Sequence, residues 1–298
     1  MKRVEVLHVD AFSQIPNKGN PAGVVLEGDS LTDDEMQAVA LQVGFNETAF
    51  AVRSEVADVR IRFFTPGHEM NLCGHATMAT VFSLLSHGLL EEKREITIET
   101  KAGILPVKIQ TMSDEGVLIT MRQAAPQFAD FNGSVDELAA AIGLVSEDIE
   151  LKWPIQYGST GIWTLIVPVK SLDACKRMKP DNALFPHVLK EMPHVSIHPF
   201  CTETYDQTAD MHARHFSSPY SGTQEDPVTG TASGVMGAYY GTYIEPETTA
   251  GPRTFVIEQG QEIDRDGRVR VTVSPNQASL QVEIAGTAVF VKEMTVTI

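Results

Sequence analysis

The sequence predicts an α+β protein built from two similar domains, and three observations point there. Short runs of β-branched and aromatic residues outnumber helical stretches, and several alternate with period two, as in Val59-Arg60-Ile61-Arg62-Phe63. A polar segment with a proline, residues 122–127, interrupts the pattern, which then restarts. A unit of strand, proline turn, loop and glycine at a helix start occurs once on each side of that break. The length, 298 residues, is long for one core and comfortable for two.

In the first half, strands are expected at 4–9, 22–26, 48–52, 59–64, 95–99, 104–109 and 117–121. Thr32 followed by Glu35 is a capping box that opens a helix over 33–43. A second helix is expected from about residue 74 to 85, with Gly88 near its C-cap. After the linker, Ser134 and Glu137 form another capping box, opening a helix over 135–142. Strands are expected at 164–169, 195–201, 211–216, 254–258, 269–273, 279–284 and 288–291, and helices over 181–192 and 230–240.

The repeated unit is specific enough to suggest duplication. In the first half it reads Arg62-Phe63-Phe64-Thr65-Pro66, then Cys73-Gly74-His75-Ala76-Thr77; in the second, Arg214-His215-Phe216-Ser217-Ser218-Pro219, then Thr229-Gly230-Thr231-Ala232-Ser233-Gly234. The expected boundary gives domains 1–124 and 125–298, with the last strand free to return to the first domain.

Lys and Arg number 23 against 39 Asp and Glu, a formal charge of -16. That field repels nucleic acid and anionic membranes. It does not exclude a small anionic substrate, because helix ends make their own local potential. Three cysteines, Cys73, Cys175 and Cys201, are too few and too odd for a disulfide framework. With neither a signal-peptide h-region nor a membrane-length apolar run, the reading is a cytoplasmic protein.

A glycine at a helix start lets backbone N–H groups approach an anion, and the macrodipole adds to them. Gly74 and Gly230 are such positions, one per half; the plain alternative is simple capping and tight helix packing. Glu47 sits at a helix-to-strand junction before an apolar strand, where a carboxylate suits proton abstraction and return. Its alternative is a surface turn residue. His75 follows Gly74, and Asp226 precedes the second glycine; either could be local structure only. Cys73 precedes a glycine-led helix, where thiolates are stabilised, although a free cysteine is more often a small buried hydrophobe. The sequence lacks GxGxxG, GxxxxGK[ST], HExxH and CxxC. His194, His198 and Cys201 have metal-like spacing but fall in a strand-like run, so neither metal nor cofactor is expected.

Taken together, Asp10-Ala11-Phe12, Gly19-Asn20-Pro21-Ala22, Asn46-Glu47-Thr48-Ala49-Phe50, Phe64-Thr65-Pro66, Cys73-Gly74-His75-Ala76-Thr77 and Glu225-Asp226-Pro227-Val228-Thr229-Gly230-Thr231-Ala232 resemble the PhzF-like isomerase family of phenazine biosynthesis. The resemblance runs in order along nearly the whole chain. It implies the diaminopimelate epimerase-like fold: two pseudo-symmetric α+β domains, each a curved, mainly antiparallel sheet or open barrel around a central helix, with the site between them. It also implies Glu47 as the catalytic carboxylate, His75 and Asp226 as further active-site residues, and Gly74, Gly230 and Thr231 around the substrate carboxylate. Cys73 matches the first catalytic cysteine of the epimerases, but Thr229 replaces the second. Family members are often homodimers.

The expected activity is a cofactor-independent isomerase that moves a carbon-bound proton on a small carboxylate-containing substrate. Two alternatives stay open. One is an amino-acid racemase or epimerase using Cys73 and a carboxylate as bases. The other is a non-catalytic binder of small acids.

Overall fold

The computed structural model describes residues 1–90, 93–112, 116–246, 251–276 and 279–298. Its strands are β1 (Arg3–Ala11), β2 (Asn20–Val25), β3 (Thr48–Val52), β4 (Val59–Phe64), β5 (Glu69–Met70), β6 (Glu95–Thr100), β7 (Gly103–Met112), β8 (Gly116–Arg122), β9 (Gln127–Asp130), β10 (Gln156–Ser159), β11 (Trp163–Pro168), β12 (Ser196–Cys201), β13 (Met211–Ala213), β14 (Arg253–Gln259), β15 (Gly267–Asn276), β16 (Ser279–Gly286) and β17 (Ala288–Thr297). The α-helices are α1 (Asp33–Val43), α2 (Gly74–Ser86), α3 (Val135–Ala141), α4 (Leu172–Arg177), α5 (Phe185–Val188) and α6 (Gly230–Tyr239). The fold is α+β, and the chain divides into two compact units. One is Met1–Arg122 with Ala285–Ile298; the other is Gln123–Ile284.

In the first unit the strands pair in the row β17–β1–β2–β3–β4–β6–β7–β8, antiparallel except at β2–β3 and β4–β6. Helix α2 touches β17, β1, β2, β3, β4 and β8. These include both ends of the row, so the sheet curves around the helix. The sequence of α2 fits that position, because it is apolar or small nearly all round, with Ala76 through Val81 buried. Its buried hydroxyls need no outside partner. Thr77, Thr80 and Ser83 donate back to the carbonyls of Cys73, Ala76 and Ala79.

Helix α1 is amphipathic and packs only one face. Met36, Val39 and Ala40 cluster with Val4, Val6, Val25, Phe50 and Phe64. The capping box forms as expected: Thr32 Oγ1 accepts from the Glu35 N–H, and the Glu35 carboxylate accepts from the Thr32 N–H. Gly44 ends α1 at φ 72°, left-handed backbone that glycine adopts without strain. That turn delivers the chain to Glu47.

In the second unit the row is β9–β10–β11–β12–β13–β14–β15, parallel at β11–β12 and β13–β14. Helix α6 packs on β10, β11 and β15, and is buried at Gly230 and from Ala232 to Tyr239. Its glycines allow close approach, since a Cβ at Gly237 would stand 2.6 Å from Val271 Cγ1.

Some expected elements differ. The helix over 181–192 is instead a 3-10 turn, Asn182–Leu184, followed by the single-turn α5. Pro186 fits only a first turn, and Leu189 leaves the helical region at φ -92°, ψ 59°. The strand over 211–216 ends at Ala213, where Arg214 turns its guanidinium onto Glu225. The run at 288–291 continues as β17 to Thr297, paired with β1 along its length. Strand β10 had no β-branched signal, yet all four residues are buried between β9 and β11.

Candidate active site

Glu47 lies between the Gly44 turn and β3, and its carbonyl accepts from the Gly23 N–H at 3.1 Å. The α2 start brings Cys73 and His75 beside it. Cys73 is the N-cap, at φ -140°, ψ 121°, and makes no side-chain cap bond. His75 stands one residue beyond Gly74. Its Nε2 is 3.2 Å from Glu47 Oε2, and its Nδ1 is 3.4 Å from Cys73 Sγ. One imidazole therefore links the carboxylate to the thiol. The side chains of His75 and Glu47 are only 10% and 14% exposed. The Glu47–His75 approach is an ion-pair distance off the line of a hydrogen bond, which leaves Glu47 Oε2 buried without a hydrogen-bond partner.

The electrostatics follow from burial. Desolvation, and then the Glu47 carboxylate, push the Cys73 thiol above its ordinary range, and His75 only partly offsets them. The helix N-terminus does not overcome this. Burial also opposes the His75 imidazolium, but Cys73 and then Glu47 outweigh it and hold His75 well above the usual histidine range.

In the second unit, Asp226 stands just before α6. Its Oδ2 accepts from Thr229 Oγ1 at 2.5 Å, and its N–H donates to the His215 carbonyl at 3.0 Å. Gln259 completes this knot: its Nε2 donates to the Asp226 carbonyl and to Thr229 Oγ1, and its Oε1 accepts from the Thr229 N–H. Thr229, the N-cap of α6, therefore spends its hydroxyl on Asp226 rather than on the cap. Gly230 is the first residue of α6, and the Thr231 carbonyl accepts from Thr160 Oγ1 at 3.1 Å.

Gly23 and Gln259 gave no sequence signal, because each acts through a partner far along the chain. Of the residues with metal-like spacing, His198 faces His215 at 3.2 Å, Cys201 lies 3.7 Å from Cys175, and the His194 ring rests on Tyr220. The described residues do bring one mixed donor group together: Glu47, Cys73 and His75, with donor atoms all within 4.8 Å. Among the described residues, no helix is long and apolar enough to cross a membrane.

A helix wrapped by a curved sheet, with a buried carboxylate–imidazole–thiol group at its start, is an α+β arrangement with groups able to move protons, and comparison with known proteins puts the chain among the isomerases. The chain belongs to the phenazine biosynthesis-like protein family (PhzC-PhzF), whose profile matches residues 9–294. It is 54% identical over 290 residues to an uncharacterized isomerase, YfhB, of Bacillus subtilis, with 97% of each chain covered. It matches the crystal structure of a Bacillus anthracis phenazine biosynthesis protein of the PhzF family at TM-score 0.98 and 59% identity, over 100% of both chains. It is also 29% identical over 271 residues to trans-2,3-dihydro-3-hydroxyanthranilate isomerase of Pseudomonas aeruginosa, covering 88% of this chain and 87% of that one.

Proposed function

We propose that this isomerase shifts a carbon-bound proton within a small carboxylate-containing substrate, without a cofactor, and that Glu47 takes the proton and returns it. The observation that supports the reading is the pairing of Glu47 with His75. A carboxylate 3.2 Å from an imidazole, both largely buried, has a proton-handling partner ready at its side. One carboxylate working on one face needs no second base, which suits a chain carrying Thr229 where a second thiol would stand. Backbone N–H groups at Gly74, Gly230 and Thr231 suit the substrate carboxylate and charge developing next to it. Asp226 is proposed as a further active-site residue, held by Thr229 and Gln259. The Pseudomonas relative's name refers to a hydroxylated, carboxylated dihydro ring, and a small acid of that kind is the substrate class proposed here.

The test is incubation with metabolite extract in deuterated water, reading label by mass spectrometry. Glu47→Gln keeps the side chain's size and removes the base, so label incorporation should fall by roughly 10²–10⁴-fold. Cys73→Ala should change it little. The reverse order, with Cys73→Ala inactive and Glu47→Gln active, would establish the thiol as base and sink the carboxylate mechanism. Circular dichroism of both variants separates lost chemistry from lost folding.

A further inference from the structure

Gln259 closes β14, fully buried, and its side-chain amide is committed to the segment that leads into α6. Oε1 accepts from the Thr229 N–H at 3.1 Å, and Nε2 donates to the Asp226 carbonyl at 2.7 Å. A backbone N–H can only donate and a carbonyl can only accept, so these two bonds fix which way round the amide sits. Nε2 also lies 3.2 Å from Thr229 Oγ1. An amide nitrogen accepts no hydrogen bond, so the hydroxyl must be the acceptor there. Its one hydrogen is then directed to Asp226 Oδ2, 2.5 Å away. Hydrogen-bond direction therefore runs one way, from amide to hydroxyl to carboxylate. A proton on Oδ2 would face the Thr229 hydrogen, and the hydroxyl cannot turn toward an N–H group to make room. The same arrangement diverts Thr229 from capping: as N-cap of α6 it makes no side-chain bond to the first turn.

We infer that Gln259 is a positioning residue: by making the Thr229 hydroxyl a donor, it fixes the Asp226 carboxylate in direction and confines any proton that Asp226 carries to Oδ1. The inference rests on the reading of Asp226 as an active-site residue. Gln259 acts through Thr229 and needs no contact with substrate.

The experiment is a double-mutant cycle in label incorporation, run with the full-length protein and metabolite extract in deuterated water. Gln259→Met keeps the side chain's length and removes its polar atoms. Thr229→Val keeps the β-branch and removes the hydroxyl. Each should lower incorporation at least about tenfold, because small misplacements of a catalytic group are costly. The double variant should be no slower than the slower single variant, since both changes break one path. Thr229→Ser keeps the donor and should retain at least about half of the wild-type rate. Thermal unfolding of each variant, with rates taken well below its Tm, keeps loss of structure out of the comparison. Should Gln259→Met not fold, Gln259→Glu takes its place in the cycle; it keeps the shape, sets an acceptor where the NH2 stood, and should show the same non-additivity. Losses that multiply in the double variant would mean that Gln259 acts through the Asp226 carbonyl or through packing, and overturn the proposal. So would wild-type incorporation by Thr229→Val, or a folded Thr229→Ser as slow as Thr229→Val. Asp226→Asn tests the underlying reading separately. Full incorporation by that variant overturns Asp226 as an active-site residue, whereas an inactive Asp226→Asn beside a fully active Thr229→Val overturns the positioning alone.

Discussion

Gly23→Ala probes how the position of Glu47 is set. Gly23 pairs with His8 on β1 and with Thr48 on β3, and its N–H holds the Glu47 carbonyl. A Cβ there would stand 2.8 Å from Thr48 Oγ1, 3.1 Å from Thr48 Cγ2 and 3.2 Å from Val43 Cγ1. Thr48 is fully buried, and its β-branched side chain has few rotamers to escape into. The clash must therefore move β3 and the adjoining Glu47. Overpacking of this kind costs about 1–3 kcal/mol. At roughly 2–4 °C per kcal/mol, the Tm should fall by several degrees. Thr48→Ala removes both of the closest atoms, and its hydroxyl has no hydrogen-bond partner to lose. The double variant should therefore recover most of the loss, giving a coupling of about 1–2 kcal/mol in a double-mutant cycle. Thermal unfolding of the four proteins measures it. Deuterium incorporation should drop at least about tenfold in Gly23→Ala and return in the double variant, since small misplacements of a catalytic group are costly. Strictly additive stabilities, or full incorporation by a destabilised Gly23→Ala, would refute this account of how Glu47 is placed.

Two further outcomes test the second unit. His212 is flanked by Glu258 and Glu262; burial opposes its charge, but a hydrogen bond to Glu258 and the Glu262 carboxylate 3.1 Å away raise it from 6.5 to about 9. Its folded value is the higher one, so its contribution is complete below about pH 6.5 and disappears as pH rises through about 9. Urea midpoints measured between pH 6 and 10 should fall over that window, on the order of 2–3 kcal/mol in all, and His212→Gln should flatten the slope. Arg214 is buried, makes two bonds to Glu225, and donates to the carbonyls of Cys175 and Met178. Arg214→Met strands these acceptors and should cost about 3–5 kcal/mol in denaturant unfolding; a loss under about 1 kcal/mol would mean that water replaces the guanidinium.

What the sequence determined by itself is what depends on neighbours in the chain. Thr32 and Glu35 specify their capping box because the donor and acceptor are three residues apart. Gly74 and Gly230 mark the starts of α2 and α6, and the near-uniform apolar character of α2 implies that it is enclosed. The ordered motifs from Asp10 to Ala232 carry the family. Tertiary structure decided the rest. The turn at Gly44 and the start of α2 converge to bring Glu47 and Cys73 to the two ring nitrogens of His75, a meeting that no spacing encodes. The same packing reverses the expectation for Cys73: a helix N-terminus lowers a thiol's pKa where water remains, whereas burial beside a carboxylate raises it. Asp181 through Met192 looked helical by composition, yet Pro186 and the backbone at Leu189 confine the helix to one turn. Gln259 could not be singled out on β14, because its use lies in the amide's simultaneous reach to Asp226 and Thr229. Local hydrogen bonding is written in adjacent residues, whereas desolvation and side-chain convergence exist only once distant segments have packed.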